Sequence, residues 1–164
     1  MVEVRRADVR DAGELLRLRQ EMWRELDGYA PEPGTWQQRS LTELRSRLAE
    51  PAPSLAAFVV ASPETPDELA SCAIGVIDRW LPGPRNPNGM VGKLHSVSTD
   101  PRYRRRGFSR ACVAAIIEWF RDRGVDSVTL NASPQGEPLY ASLGFVRSHD
   151  PAMWLYLPEV SRAR

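Results

Sequence analysis

Lysine is almost missing from this chain. Lys93 stands alone, so nearly all of the 22 basic residues are arginine, a mark of GC-rich coding DNA more than of function. Cysteine is scarce, with Cys72 in a strand-like run and Cys112 in a helix-like run. Neither takes part in metal-ligand spacing, and no metal is expected. Both read as free core thiols suited to a reducing cytoplasm. Net charge is close to absent: 22 basic residues against 21 acidic give +1. Bulk attraction to nucleic acid or a membrane surface is thereby excluded, and any anion site must be a local cluster. No apolar run reaches the roughly 18 residues of a membrane span. Met1–Arg6 offers no signal-like apolar stretch, so a cytoplasmic protein without a secretory signal is expected.

The remainder is ordinary for a globular chain, 42% hydrophobic and 26% charged over 164 residues, enough for one domain over 1–164. Val2 and Val4 alternate with charges as in a half-buried first strand. Leu15, Leu18, Met22 and Leu26 then follow helical spacing after a cap at Asp8 or Asp11. Pro31, Pro33 and the glycines of 28–34 break that helix, and a second runs over about 35–50. Strands are predicted at 54–61, 70–80, 91–99 and 125–131. The Pro- and Gly-rich loop at 81–89 before the third of these is a candidate rim for a site or a plain hairpin loop. Phe108, Cys112, Ile116 and Phe120 form an i+4 stripe on a long helix ended by Gly124. A short helix over 134–143 and two short strands over 145–157 complete a mixed α/β pattern. The apolar Met153–Leu157 run offers a surface for a homodimer.

The sharpest local signal is a strand, then Asp100-Pro101-Arg102-Tyr103-Arg104-Arg105-Arg106-Gly107-Phe108-Ser109, then a helix. A helix start presents unpaired N–H groups and partial positive charge. Gly107 and the small Ser109 permit close backbone approach, and arginine forks suit phosphate oxygens. A solvated arginine-rich helix start or an RNA contact would show the same residues. The stacking aromatics and wide basic face of an RNA binder are absent, and neither dinucleotide nor P-loop glycine spacing is present.

Arg104-x-x-Gly107-x-Ser109 resembles the Q/R-x-x-G-x-G/A acetyl-CoA motif of the GNAT superfamily of N-acetyltransferases, with serine where glycine or alanine is usual. Leu139-Tyr140-x-x-Leu143-Gly144-Phe145, behind Leu130-Asn131-Ala132-Ser133, resembles the superfamily's second motif. The two motifs together cover Val91 to Phe145. The resemblance implies a single-domain sheet of about seven strands, splayed between the fourth and fifth and flanked by about four helices. It implies acetyl-CoA as co-substrate, and direct attack by an amine through a tetrahedral intermediate.

Residue by residue, the resemblance places the pantetheine arm along Val97, Ser98 and Thr99, with the Val97 N–H polarising the thioester carbonyl. The pyrophosphate falls to Arg104, Arg105, Arg106, Gly107, Phe108, Ser109 and Arg110. Ser133 contacts the cofactor or the Tyr140 region, and Tyr140 protonates the departing thiolate. His95 is the best-placed titratable group for a base or a substrate contact, sharing a strand face with Lys93 and Val97. Trp23, Glu25, Trp36 and Trp80, with Met22, Glu21, Asp27 and Glu32 nearby, are candidates for an acceptor wall suited to a cationic amine, or equally a solvated helix face. A small-molecule amine is the expected acceptor. A protein N-terminus or lysine is the alternative, and a non-catalytic acyl-CoA sensor is the reading of another class.

Overall fold

A computed structural model describes residues 1–27, 32 and 34–157. In chain order the elements are β1 (Arg5–Arg6), α1 (Ala12–Asp27), α2 (Thr35–Leu48), β2 (Leu55–Ala61), β3 (Leu69–Arg79), β4 (Met90–Thr99), α3 (Phe108–Asp122), β5 (Ser127–Thr129) and α4 (Glu137–Ser142). Most agree with the sequence pattern to within two or three residues. The break expected over 28–34 lies mainly outside the described residues.

The five strands form one sheet in the order β1-β2-β3-β4-β5. Pairing is antiparallel up to β4, and β5 joins β4 in parallel. A parallel neighbour needs a crossover, which α3 supplies. Two apolar layers cover the sheet. On one face Leu15 and Leu18 of α1 and Leu44 of α2 pack on Val59, Cys72 and Ile74. On the other Cys112, Val113, Ile116 and Phe120 of α3 pack on Ala56, Ala73 and Leu94. The two cysteines are free and buried, one in each layer, and burial pushes both thiols up to about 12.

Two glycines set how closely α3 lies on the sheet. A Cβ on Gly75 would stand 2.8 Å from the Phe120 ring, and one on Gly92 would stand 3.0 Å from it. Larger residues at either position would push α3 outward and widen what lies beyond.

Two expectations are corrected. The first strand lies at Arg5–Arg6, not Val2–Val4, because it is there that the chain meets Val59 and Phe58 of β2. The two strands expected over 145–157 do not form. Val146, Met153, Trp154, Leu155, Tyr156 and Leu157 are exposed and unpaired with any described strand. Aromatic and branched residues favour a strand only where a neighbouring edge takes their backbone hydrogen bonds. Among the described residues the sheet therefore has five strands rather than about seven.

The splay between the fourth and fifth strands is present. Pairing with β5 runs from Val91 opposite Ser127 to Lys93 opposite Thr129 and stops there, whereas β4 continues to Thr99. Its last six residues keep β3 on one side and present an open backbone edge on the other.

Candidate active site

That open edge forms one wall of a cavity of about 860 Å³. Residues 94–99 supply the strand wall, and Arg104, Arg105 and residues 107–110 the turn into α3. Leu130, Asn131 and Ser133 with Gly136, Leu139 and Tyr140 close the far side, while Met22, Glu25 and Leu26 of α1 overhang it.

A bulge re-aims the strand wall. On β3, Cys72 pairs with Ser98 and Ile74 with His95, so one residue opposes two, and Ser96 takes φ +46°. A bulge of this kind interrupts the two-residue alternation. Leu94 and Val97 consequently both pack toward the α3 layer, three residues apart. His95, opposite Ile74 of the α1 layer, lies with Lys93 on the other face. The expectation that His95 shares a face with Val97 is thus corrected. His95 is exposed on the cavity wall. Desolvation chiefly, and then the Lys93 and Arg19 charges, hold its pKa below the usual 6.5, so the ring is neutral at pH 7.

The turn after β4 is fixed before α3 begins. Asp100 is buried, accepts from the Arg102 backbone N–H at 3.0 Å and pairs with Arg102 and Arg17, both at 2.9 Å. Hydrogen bonds from Arg102 first, and from Arg17, hold its carboxyl far below the usual carboxylate range. Tyr103 is fully buried, with its hydroxyl 2.9 Å from Ser62 Oγ. Arg105 at φ +62° and Gly107 at φ +79° then swing the chain into the helix. No side chain caps α3, and a Cβ on Gly107 would meet nothing within 4 Å. The first N–H groups of α3 consequently open onto the cavity side of the turn with no side-chain acceptor.

The serine in the glycine/alanine position has its own bond. Ser109 Oγ lies 2.5 Å from Thr99 Oγ1, which lies 2.8 Å from Ser71 Oγ, and Ser71 donates to the Ser98 carbonyl at 3.0 Å. This hydroxyl chain ties the end of β4 to the start of α3. Ser71 escaped sequence reasoning because it lies 27 residues away on β3.

The arginines are not equivalent. Arg104, Arg105 and Arg110 line the cavity, with Arg104 paired to Glu25 and Arg110 bonded to Ser142. Arg106 lies off the cavity wall, its guanidinium over the Tyr103 ring at 5.4 Å.

Tyr140 is half-buried, stacked edge-on to Phe145 at 5.9 Å, and burial raises its pKa above the usual 10. Its phenol is therefore neutral at pH 7. Gly136 makes room for the ring: a Cβ there would stand 3.1 Å from Tyr140 Cε2 and 3.2 Å from Ser133 Oγ. Ser133 in turn accepts from the Gly136 N–H at 3.1 Å and orders the turn into α4.

Of the four residues put forward for an acceptor wall, only Glu25 lines the cavity. Trp23 and Trp36 pack on one another at 5.4 Å. Trp80 is 63% exposed and hydrogen-bonds Gly89 through its backbone across the hairpin. The 81–89 loop enters β4 at Met90, the end away from the cavity, so it is a hairpin loop and not a rim.

A cleft that joins an open strand edge to an uncapped helix start suits a long ligand with amides at one end and phosphates at the other. Family comparison agrees, with the acetyltransferase (GNAT) family matching residues 15–145. The chain belongs to that family. A mycothiol acetyltransferase of Thermobispora bispora is 32% identical over 138 residues, 78% of this chain and 43% of the relative. The chain thus matches less than half the length of that relative. An acetyltransferase of Clostridium acetobutylicum solved with acetyl-CoA has a TM-score of 0.79 at 22% identity, covering 96% of both chains. A GCN5-related N-acetyltransferase of Ralstonia eutropha has a TM-score of 0.79 at 24% identity, covering 94% of this chain and 99% of its own.

Proposed function

We propose that the protein moves an acetyl group from acetyl-CoA to the primary amine of a small molecule by direct attack, with residues 1–164 acting as one cytoplasmic catalytic domain. The carrying observation is that one cavity holds the open edge of β4, the uncapped start of α3 and the half-buried Tyr140. The relative named for mycothiol supports a small-molecule acceptor over a protein. Among the described residues no helix is long and apolar enough to cross a membrane.

The donor fits on two observations of this chain. The edge of β4 beyond Lys93 offers peptide groups for the amides of a pantetheine arm. The αL turn at Gly107, open where a side chain would project, exposes N–H groups for a pyrophosphate. When bound, acetyl-CoA supplies the activated acyl carbon. Backbone groups at Val97, Ser98 and Thr99 hold the arm, and the Val97 N–H stabilises negative charge on the carbonyl oxygen. Arg104, Arg105 and Arg110 screen the phosphates from the cavity wall, while Arg106 braces Tyr103. Ser133 orders the turn beneath Tyr140. His95, neutral at pH 7, takes the proton that the substrate ammonium must lose, and Tyr140 gives one to the thiolate.

An amine panel with acetyl-CoA, read by release of free thiol, tests this reading. Turnover of small amines with CoA-dependent saturation is expected. CoA that fails to bind, or binds while no amine is acetylated, overturns it.

A further inference from the structure

Among the described residues Glu25 is the one carboxylate on the cavity wall, set among Arg104, Arg105 and Arg110. Its charge is already taken. Arg104 holds Glu25 in an ion pair through Nη2, while its own Nε donates to the Thr99 carbonyl at 3.4 Å, at the end of β4. The cavity's single anion is thus neutralised by an arginine that the donor's phosphates would also approach.

A second tie from α1 to the same turn is of a different kind. Arg17, eight residues before Glu25, donates to Asp100 at 2.9 Å and to the Leu69 carbonyl at 2.8 Å. The Asp100 side chain is only 6% exposed, so this bond is a fixed part of the fold. The side chains of Arg104 and Glu25 are 42% and 43% exposed. An exposed pair of that sort contributes little to stability and is readily broken. A phosphate offers Arg104 more charge than a carboxylate does, on oxygens matched to its planar fork. Once Arg104 turns to phosphate, Glu25 is left as an unpaired anion inside the cavity.

We propose that Glu25 receives the ammonium group of the acceptor, and that Arg104 withholds it until the phosphates of acetyl-CoA take the arginine in its place. The acceptor class is then a cationic primary amine, and its binding site is completed by the donor. Two ligands coupled in this way tighten each other by the same factor. The assignment deepens the acetyltransferase reading and rests on it.

Calorimetry of wild type, Glu25→Gln, Arg104→Gln and the double variant tests the exchange from both sides. CoA should bind Glu25→Gln about threefold more tightly than wild type, the scale of one exposed ion pair that no longer has to be broken. In the Arg104→Gln background the same substitution should change nothing. Pantetheine, which carries no phosphate, should bind wild type and Glu25→Gln alike. No gain for CoA, a gain of equal size without Arg104, or one shared by pantetheine overturns the exchange. On the acceptor side, ethanolamine, phenethylamine and glucosamine are titrated into the free and the CoA-bound protein. Wild type should bind amine about threefold more tightly with CoA present, the reciprocal of the first effect. Arg104→Gln should reach that affinity without CoA, and Glu25→Gln should lose about tenfold in either form, as expected for a charge-assisted contact removed. Equal affinity in free and CoA-bound wild type, or undiminished binding in Glu25→Gln, overturns the assignment. If CoA binds and none of the three amines does, the assignment fails and the acetyltransferase reading stands. Failure of CoA itself to bind overturns that reading, and this inference with it. Circular dichroism of each variant checks that it folds.

Discussion

The two ends of the cavity are built by different means. The end proposed for the phosphates is built from backbone: a strand edge without a described partner, an αL glycine and the uncapped start of α3, held in place by Asp100 and Tyr103 beneath. The end proposed for the acceptor is built from side chains brought together across layers, His95 from the bulged strand and Met22 and Glu25 from α1. Backbone geometry tolerates many sequences, so the first end can stay constant while the second is rewritten residue by residue. Tyr140 stands at the seam, carried by a short helix whose position depends on Gly136.

Substitutions at the seam and at each end should separate these two modes. The largest effect is expected from Tyr140→Phe, which keeps the ring packing on Phe145 and removes the proton donor. Turnover should fall about 100-fold, the low range for general acid catalysis, with CoA affinity retained; wild-type turnover would remove Tyr140 from the chemistry.

Asp100→Asn should show that the backbone end is held from below. Losing a buried carboxylate that bridges two arginines and caps a turn should cost about 2 kcal/mol of stability by thermal or urea unfolding, with weaker CoA binding. The sign with pH follows from a folded pKa lowered beneath the ordinary 3.8. Stability from Asp100 is complete above that value and is lost as pH falls below it. The variant should therefore lose less stability than wild type on acidification. Equal acid sensitivity in the two proteins would break the link.

Gly107→Val places a branched residue at φ +79° where there is room but no conformational ease. A strain of about 1–2 kcal/mol should weaken CoA binding roughly tenfold. Calorimetry that finds the affinity unmoved would mean that the αL turn is not part of the phosphate end.

The smallest effect should come from His95→Gln, confined to the acceptor end. With its pKa lowered below 6.5, His95 should give kcat/KM a limb that rises with pH and levels off on the acid side of 6.5. The variant should lose that limb, and a profile identical to wild type would clear His95 of the role of base.

How far the sequence discloses the site follows the same division. The turn from β4 into α3 was legible because glycine and small residues at fixed offsets are local requirements, and so was the splay that the two motifs together imply. Bonds across the sheet were not: Ser71 has no short-range signature. Trp23, Trp36 and Trp80 show the reverse error. Aromatic residues near a site in sequence need not face it, and two of these three pack on each other. The strands expected over 145–157 failed for want of an edge to join, a condition no residue-by-residue propensity encodes.

The bulge at Ser96 can be understood as a phase shift in a periodic signal. Upstream of it, odd-numbered residues of β4 address the α1 layer; downstream, Val97 addresses the α3 layer. A single deletion there would restore the period without unmaking the strand. It would also exchange which residues of β4 turn their N–H and C=O groups to the open edge, since alternate residues face opposite edges of a strand. One residue of slippage thus decides whose backbone groups line the cavity.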